Sequence, residues 1–244
     1  MEVYLSVIVP AYNEEANIAC TLNSILEYLR GKPFAWEVVV VDDGSLDRTA
    51  EMVRGFPVKL LTSERNCGKG VAVRRGMLAA QGQFRLFTDA DNSTSISEIE
   101  KLLPFAEEGW DIVIGTRRMR ESTIEVVPPF HRHLLGEIYV SVSRLLTGVE
   151  VSDFNCGFKL FTARAAESLF SVQRMERWSF DVEVLFLAAR CGFTIKEVPV
   201  RWAHVQSTSK VRPLSDGIRS LKDLLRIRYN YAVGRYKVRE RSAE

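Results

Sequence analysis

The sequence predicts an α/β fold with a mostly parallel central sheet and helices on both faces of that sheet. Strand-like and helix-like segments alternate from residue 4 onward, with short connections between them. The strand-like segments are continuous apolar runs such as 38-VVVV-41, and strands without polar alternation are covered on both faces. With 244 residues, 46% of them hydrophobic, the chain can fill one large core.

The first half of the chain repeats a strand followed by a helix. The predicted strands are 4–10, 36–42, 58–62, 84–90 and 111–116. The predicted helices are 14–30, one capped near Ser45, 69–80 and 96–108. This alternation predicts a nucleotide-binding type of architecture, in which ligands bind outside the carboxyl ends of the strands.

The second half departs from that alternation. Its predicted elements are an amphipathic segment at 130–148, a polar turn at 153–161, an apolar helix near 179–191 and a strand near 194–202. No linker, repeat or low-complexity tract interrupts the sequence. We therefore expect one domain over residues 1–212, with a basic amphipathic helix at 213–244 as part of the same unit.

Composition argues against several classes of protein. The four cysteines lie far apart, without CxxC or Cys/His ligand spacing, which disfavours a disulfide framework and a zinc site. The stretch 1-MEVYLSVIVPAYNEE-15 has no basic leader or cleavage site, so we expect a strand there and not a signal peptide. No window approaches the roughly 18 uninterrupted apolar residues of a membrane-spanning helix.

The net charge of +2 hides an asymmetry along the chain. Residues 201–244 contain 11 Lys and Arg against 4 Asp and Glu, whereas the rest of the chain carries a net charge of −5. A basic tail indicates an anionic partner, either nucleic acid or acidic lipid headgroups. The tail lacks the repeated aromatic residues of a single-strand stacking platform, so we expect no nucleic-acid binding.

Two segments carry apolar residues at helical spacing. The first stripe consists of Leu214, Ile218, Leu221, Leu225, Tyr229, Ala232 and Tyr236. The positions outside this stripe include the cationic residues Arg219, Lys222, Arg226 and Arg235. The second consists of Phe130, Leu134, Ile138, Val142, Leu145 and Val149. Such helices suit the surface of an anionic membrane, and the alternative for each is packing on the protein's own core or on a dimer partner. The oligomeric state is left open.

Polar residues follow three of the predicted strands. The first strand leads into 10-PAYNEE-15, where Tyr12 is suited to stack on a base and Glu14 to accept from its N–H. The second leads into Asp42 and Asp43. Each motif alone also has a structural interpretation, as a helix start with acidic residues in its first turn or as a turn and helix cap. Carboxylates at several strand ends repel one another, however, and need cations nearby.

The fourth predicted strand ends in 87-FTDADNS-93. Asp89 and Asp91 are two positions apart at an extended strand end, so their side chains point the same way. Mg²⁺ and Mn²⁺ prefer such oxygen ligands and are usually held by one or two carboxylates together with substrate phosphates. The pattern favours a divalent metal that bridges a diphosphate. The alternative is an exposed turn in which Asn92 and Ser93 cap the next helix.

The stretch 66-NCGKGVAVRRG-76 places glycines before a helix. Backbone N–H groups and Lys69 in such a position can face an anion. The stretch is not GxGxxG, and no acidic residue follows at the ribose distance, so it does not indicate a dinucleotide site.

Four motifs together resemble family 2 glycosyltransferases of the GT-A fold, a single Rossmann-like domain that binds nucleotide sugars. They are SVIVPAYNEE, VVVVDDGSLDRT, NCGKGVAVRRG and FTDADNS, and the resemblance covers residues 4–120. Farther on, GTR at 115–117, DFNCGFKLF at 153–161, ERWSFDVEVLFLA at 176–188 and STSK at 207–210 resemble the polyprenyl-phosphate branch. Within that branch the sequence is more similar to dolichyl-phosphate β-glucosyltransferases than to mannosyl synthases.

The resemblance implies a role for each matching residue. The nucleotide-sugar pocket would consist of Pro10, Ala11, Tyr12, Glu14, Asp42 or Asp43, Lys69, Asp89, Ala90 and Asp91. Within the DxD motif, Asp91 would be the direct metal ligand, and Asp89 would contribute to the metal site nearer the sugar and ribose. The donor and acceptor phosphates would be surrounded by Arg117, Lys159, Arg177, Ser209 and Lys210. Asp153 and Asp181 would take part in catalysis by orienting cations or sugar hydroxyls.

The resemblance implies inverting, Mg²⁺- or Mn²⁺-dependent transfer of glucose from UDP-glucose to a polyprenyl or dolichyl phosphate. A lipid phosphate is already anionic near neutral pH, so it can attack without the general base that a sugar hydroxyl needs. We expect peripheral attachment to the cytoplasmic side of a membrane. The alternatives are a GDP-mannose donor, a sugar-hydroxyl acceptor, or a nucleotide-binding module without catalysis.

Overall fold

A computed structural model describes residues 2–119, 121–124, 130–203 and 213–237 of the chain. Its described strands are β1 (Leu5–Ala11), β2 (Trp36–Asp42), β3 (Lys59–Thr62), β4 (Phe84–Thr88), β5 (Ile112–Thr116), β6 (Thr123–Ile124), β7 (Phe158–Thr162), β8 (Ile195–Pro199) and β9 (Arg201–Trp202). Its described helices are α1 (Ile18–Arg30), α2 (Thr49–Val53), α3 (Lys69–Ala79), α4 (Ile99–Glu107), α5 (Phe130–Thr147), α6 (Ala163–Phe170), α7 (Phe180–Arg190) and α8 (Pro213–Ala232).

Seven of the strands form one sheet, in the order β3-β2-β1-β4-β7-β5-β8. Parallel pairing joins β3, β2, β1 and β4 in register, so that Ala11 of β1 lies beside Asp42 of β2. Every residue of β1, β4 and β5 is buried, as their continuous apolar sequences predict. The α/β class and the mostly parallel sheet are therefore confirmed.

Helices cover both faces of this sheet. On one face, α1 and α4 pack their apolar residues against alternate residues of β1 and β2, such as Val9 and Val40. On the other face, α3 and α5 to α8 pack on Ile8, Phe87 and Phe161. Successive strand residues point to opposite faces, so each apolar strand contributes to both cores.

The predicted polar turn at 153–161 is wrong in its second part. Residues Phe158–Thr162 form β7, which is antiparallel to both β4 and β5 and lies between them. Phe158 and Leu160 face one core, while Phe161 faces the other. The sequence concealed this strand because Lys159, a residue type that is almost never fully buried unless paired, lies in its middle.

The helix predicted to be capped near Ser45 begins later. Here α2 starts at Thr49, and the Ser45 hydroxyl instead accepts a hydrogen bond from the backbone N–H of Asn13, at 2.9 Å. Ser45 therefore joins the loop after β2 to the loop after β1, because its side chain satisfies a backbone group of the neighbouring strand end.

Helix α8 has one buried row and a separate exposed apolar row. Leu224, Ile227 and Asn230 are buried in the body of the protein. Leu221, Leu225 and Tyr229 belong to the predicted stripe, and their exposed fractions are 48%, 55% and 57%. The predicted stripe thus faces outward along α8, but its last member, Tyr236, lies beyond the helix and is half-buried against the core.

Helix α5 packs beside α8 and repeats this pattern. Val140 is buried in the core, whereas Ile138 and Leu145 of the predicted stripe are 51% and 81% exposed. Val149, the last member of that stripe, follows the helix and is buried, so the prediction is wrong at this position. Among the described residues, no helix is both long enough and apolar enough to cross a membrane.

Candidate active site

The carboxyl ends of β1, β2 and β4 bring the predicted motifs together at one edge of the sheet. Pro10 and Ala11 are buried at the end of β1, and Tyr12 and Glu14 are half-buried in the loop that follows. The backbone N–H of Glu14 donates to the hydroxyl of Thr49 at 2.7 Å. The loop after β1 is thus held against the start of α2.

Asp42 and Asp43 have different tasks. The carboxylate of Asp43 accepts hydrogen bonds from the backbone N–H groups of Cys67 and Gly68, at 3.0 and 2.7 Å. Asp42 is 3% exposed and accepts from the N–H of Ser45 through Oδ2, while its Oδ1 is buried and has no hydrogen-bond partner among the described residues. A buried acceptor without a partner is costly. Asp42 is therefore suited to receive a donor group from a ligand.

The glycine-rich stretch before α3 binds the carboxylate of Asp43, which is an anion of the protein itself. The two backbone N–H groups that the sequence offered to a ligand donate to Asp43. Gly68 has φ +104°, and a side chain on Gly68 or Gly70 would overlap the backbone of Met175 and Glu176. The start of α3 is thus covered by the loop at 173–179, and Lys69 is the group of this stretch that faces the site.

Lys69 forms an ion pair with Asp89, with 2.5 Å between Nζ and Oδ1. Burial lowers the pKa of Lys69, but the carboxylates of Asp89, Asp181 and Asp91 raise it above its ordinary value overall. Lys69 therefore remains cationic. The repulsion between Asp89 and Asp91 that the sequence predicted is relieved in part by a lysine of the chain itself.

Asp89 is fixed in place by β7. Its backbone N–H donates to the carbonyl of Gly157 at 3.2 Å, and its carboxylate lies against Gly157 so closely that a Cβ there would overlap it. Ala90 is also buried, and its carbonyl accepts from the hydroxyl of Thr21 at 2.7 Å. The DxD backbone is thus anchored on both sides.

A second ion pair lies beneath the first. Lys159 is 1% exposed and pairs with Asp181, with 2.5 Å between Nζ and Oδ1. The ammonium groups of Lys69 and Lys159 lie 5.7 and 5.2 Å from the ring centroid of Phe87. The place of Lys159 among the residues around the phosphates stays a prediction, and in this structure its ammonium is buried against Asp181. It orients Asp181 and adds positive charge below the site.

Arg117 is the cation on the other side of Asp89. Its guanidinium binds both oxygens of Asp153, with 2.7 Å from Nε and 2.9 Å from Nη2, and it lies 5.2 Å from the ring of Trp202. Burial opposes ionisation of Asp153, yet Arg117 lowers the pKa of its carboxyl to about 2. The predicted role of Asp153, to orient a cation, agrees with this bidentate pair.

Asp91 lies half-buried at the same edge, and its Oδ1 accepts from the N–H of Ser93 at 3.0 Å. Within the described part of the chain, no three His, Cys, Asp or Glu residues are close enough to form a metal cage. This donor set fits a divalent cation that takes one or two carboxylates from the protein and its other ligands from a diphosphate and water.

Several contributors were not predicted from the sequence. Trp178 lies 5.4 Å from the ammonium of Lys69, and Glu197 accepts from Ser152 and from the backbone of Asp153. Their positions depend on tertiary packing, so no spacing in the sequence signals them. Arg177 is exposed on the loop beside Gly68, whereas Ser209 and Lys210 lie outside the described residues.

Known proteins resemble this chain in sequence over almost its whole length. A dolichyl-phosphate β-glucosyltransferase of Dictyostelium discoideum is 35% identical over 97% of this chain and 77% of its own length. One from Trichomonas vaginalis is 39% identical over 98% of this chain and 77% of its own length.

Solved structures share the fold. Glucosyl-3-phosphoglycerate synthase from Mycobacterium tuberculosis, in complex with Mn²⁺, UDP and glucosyl-3-phosphoglycerate, superposes with a TM-score of 0.70 at 21% identity. The match covers 98% of this chain and 81% of that one. The same enzyme has also been solved with Mg²⁺ and UDP.

A family model described as "Glycosyl transferase family 2" matches residues 6–170. That region contains all the strand-end motifs described above, from the end of β1 through β7. The chain is a member of glycosyl transferase family 2.

Proposed function

We propose that the protein transfers glucose from UDP-glucose to dolichyl phosphate or a related polyprenyl phosphate. The observation that carries this proposal is the cluster at the strand ends, where Asp89 and Asp91 lie with the cations Lys69 and Arg117 nearby. The carboxylates are suited to hold a metal ion that binds the donor diphosphate, and the cations are suited to bind the phosphate of the acceptor beside it. The names of the curated relatives supply glucose and dolichyl phosphate as the favoured substrates.

We propose that the carboxylate of Asp42 accepts a hydrogen bond from the nucleobase. Its unpartnered Oδ1 is an acceptor, and uracil presents an N–H donor at its pairing edge. Each oxygen of Asp43 already accepts one backbone N–H group, so this carboxylate is occupied in holding the start of α3. Of the two residues that the sequence left open, we therefore propose Asp42 for this role.

The reaction is a single displacement. An oxygen of the lipid phosphate forms a bond to the anomeric carbon, the bond from that carbon to the diphosphate breaks, and UDP departs with the electron pair. Attack from the opposite face converts an α-linked donor into a β-linked product. The acceptor is already ionised, so the protein's task is to align two anions and stabilise the leaving diphosphate.

The cations of the site are rigid enough for this task. Lys69 is held by Asp89, and Arg117 is held by the bidentate contact with Asp153. Asp91, with Asp89 close by, would hold a Mg²⁺ or Mn²⁺ ion, which would neutralise charge on the diphosphate. Arg177 and the predicted Ser209 and Lys210 would contact the acceptor phosphate.

The exposed rows of α5 and α8 are the proposed membrane-binding surface. Leu221, Leu225 and Tyr229 form one apolar row on α8, and the cationic side chains of Lys222 and Arg226 are exposed beside it. An apolar row flanked by cations suits the headgroup region of an anionic bilayer. This surface would bring the enzyme to its lipid substrate.

A donor and acceptor panel tests the function. UDP-glucose, UDP-N-acetylglucosamine, UDP-galactose and GDP-mannose are each incubated with dolichyl or undecaprenyl phosphate, and the glycolipid product is measured. We expect product from UDP-glucose, with a β anomeric signal in its NMR spectrum. Product from GDP-mannose alone would establish the mannosyl alternative, and transfer only to a sugar hydroxyl would exclude the lipid acceptor.

The Asp91→Asn variant tests the metal site in the same assay. We expect transfer to fall by about a hundredfold, because a neutral amide is a poor ligand for a hard divalent cation. EDTA should abolish wild-type transfer, and added Mg²⁺ or Mn²⁺ should restore it. Glu108→Gln, which changes an exposed carboxylate at the end of α4, is the control. Full activity of Asp91→Asn in EDTA would refute the metal-assisted account.

A further inference from the structure

Glu183 is a fully buried carboxylate on α7 that takes no part in the charge cluster described above. Its exposed fraction is 0%. It accepts hydrogen bonds from the backbone N–H groups of Arg174 and Met175, at 3.0 and 2.7 Å. The hydroxyl of Tyr236, beyond the end of α8, donates to the same carboxylate at 2.5 Å. Glu183 thus joins a loop of the body to the C-terminal segment.

The loop that Glu183 holds is the one that covers the start of α3. Residues 173–179 lie in the connection between α6 and α7, and the carbonyl of Glu176 accepts from the backbone N–H of Val71 at 3.3 Å. Gly68 and Gly70 allow this contact, since a side chain on either would overlap the loop backbone. The loop then places Trp178 next to Lys69. Its position is therefore set by α3 on one side and by Glu183 on the other.

The C-terminal segment touches this loop at further points. Arg174 donates to the backbone carbonyl of Arg235 at 3.0 Å. The hydroxyl of Ser179, at the start of α7, donates to Asp223 of α8 at 2.9 Å. Three separate contacts thus join the segment with the exposed apolar row to the loop that carries Arg177 and Trp178.

We propose that Glu183 is a positioning residue for sugar transfer, with Tyr236 holding its carboxylate in place. Glu183 holds the backbone of residues 174 and 175 in place. The held backbone in turn sets the positions of Arg177 and Trp178 relative to the Lys69–Asp89 pair. Glu183 acts through the loop and does not touch the reacting atoms. The side chains of Asp42 and Asp43, at the proposed nucleobase end of the site, accept their described hydrogen bonds from Ser45, Cys67 and Gly68, none of which belongs to this loop.

The inference rests on the proposed function, which supplies the two substrates. A positioning role differs from a purely structural role because it affects one substrate more than the other. A carboxylate that only stabilised the fold would affect all substrates equally once the folded fraction is corrected for. A positioning role changes the acceptor side and leaves the nucleotide side intact. The two substrates of the reaction thus provide an internal comparison.

The test uses Tyr236→Phe and Glu183→Gln in the full-length protein. The first removes one donor to the carboxylate and keeps the ring, while the second places an amide donor against backbone N–H groups. We expect KM for dolichyl phosphate to rise or kcat to fall by about tenfold in each, the effect of losing one hydrogen bond to a charged group. The affinity for UDP, measured by calorimetry, should stay at the wild-type value.

Tyr231→Phe is the matched control. Tyr231 lies on α8 and packs edge-on against Phe186 of α7, whereas the described hydrogen-bond donors to Glu183 are Tyr236 and the backbone of Arg174 and Met175. We expect wild-type kinetics from this variant. If Tyr236→Phe and Glu183→Gln lower the melting temperature but leave the kinetics of the folded protein unchanged, the residue is structural only and the proposal fails.

Amide hydrogen exchange gives a readout that needs no substrate. In Tyr236→Phe, the amides of Arg174 and Met175 should exchange about tenfold faster, because the carboxylate that accepts from them is held less firmly. Amides of β1 and β4 should be unchanged. Hydrogen exchange can be measured even if the acceptor substrate is not dolichyl phosphate. A failure of the inference can therefore be distinguished from a failure of the proposed function. Unchanged exchange at residues 174 and 175 would overturn the inference.

Discussion

Individual side chains at this site show how charge is shared between protein and ligand. Asp89 and Asp153 are each paired with a cation of the chain, and Asp43 is bonded to backbone N–H groups. Asp42 retains a buried oxygen without a partner. Acids that look alike in the sequence therefore divide into those that build the site and those that are suited to bind a ligand.

Asparagine substitutions at Asp42 and Asp43 should separate these two roles. In Asp42→Asn, the carbonyl oxygen keeps the bond from Ser45, so the NH₂ group replaces the acceptor Oδ1. We expect the affinity for UDP to fall by about tenfold to a hundredfold, with little change in stability. Calorimetric titration with UDP measures the first quantity, and denaturant unfolding measures the second.

In Asp43→Asn the NH₂ group opposes one of two backbone N–H donors. We expect a loss of about 2 kcal/mol in the free energy of unfolding, the cost of one buried donor without an acceptor. If Asp43→Asn instead left stability intact and removed UDP binding, the assignment of the two residues would have to be reversed.

Among the helices and strands, those of the N-terminal half were predictable from the sequence, whereas strand β7, inside the sheet, was not. Strands β1, β2, β4 and β5 were found from continuous apolar runs, because burial on both faces imposes that pattern. The strand β7 was missed because its Lys159 satisfies its charge with Asp181, a residue 22 positions away. Contacts made across such a distance leave no local trace in the sequence.

The same limit applies to the candidate site. The DxD motif and the acids after β2 were recognisable because each lies at the end of a strand. The pairs Lys69–Asp89 and Arg117–Asp153 were not, since each joins residues from different elements. The sequence indicated which residues belong to the site, and the fold determined which of them neutralise each other.

A Gly157→Ala substitution tests the packing of β7 against the DxD motif. A Cβ at this position would overlap the carboxylate of Asp89, which would have to rotate away from Lys69. We expect transfer to fall by about a hundredfold, with a loss in unfolding free energy of about 1 kcal/mol, since the overlapping group is a side-chain end. Steady-state kinetics and thermal unfolding measure the two effects.

Gly31→Ala is the control for this change. Gly31 follows α1, and a Cβ there would lie 3.9 Å from the carbonyl of Tyr28, an ordinary contact. It should leave both activity and stability near the wild-type values. Wild-type activity of Gly157→Ala would show that the Asp89–Lys69 contact is dispensable.

At the scale of the whole molecule, α8 carries an exposed apolar row with cationic side chains beside it, and the candidate active site lies at the carboxyl edge of the sheet. The two are joined through the loop at 173–179. Ser179 of this loop donates to Asp223 of α8, and Arg174 donates to the carbonyl of Arg235, which follows α8. Attachment to a bilayer through α8 would therefore place the acceptor side of the site near the lipid surface.

Vesicle binding tests this arrangement. We expect the protein to sediment with vesicles of phosphatidylcholine and phosphatidylglycerol at low salt, and less so as salt rises. Leu225→Ser should weaken binding by about tenfold, because a leucine side chain no longer enters the interface. Leu46→Ser is the control, since Leu46 is 88% exposed but lies after β2, far from α8 in the sequence. Equal losses in the two variants would argue against α8 as the binding surface.

The place of β7 in the sheet also constrains how the chain folds. Because β7 lies between β4 and β5 and pairs with both, these two strands cannot be joined into one sheet until residues 158–162 have been synthesised. Pairing of Phe84 with Thr162 closes a long loop, and contacts of such high sequence separation slow folding. On the ribosome, the nascent N-terminal half would expose the unpaired edge of β4 for the whole time that α5 is being made. That edge is the segment at which we expect a chaperone to bind first.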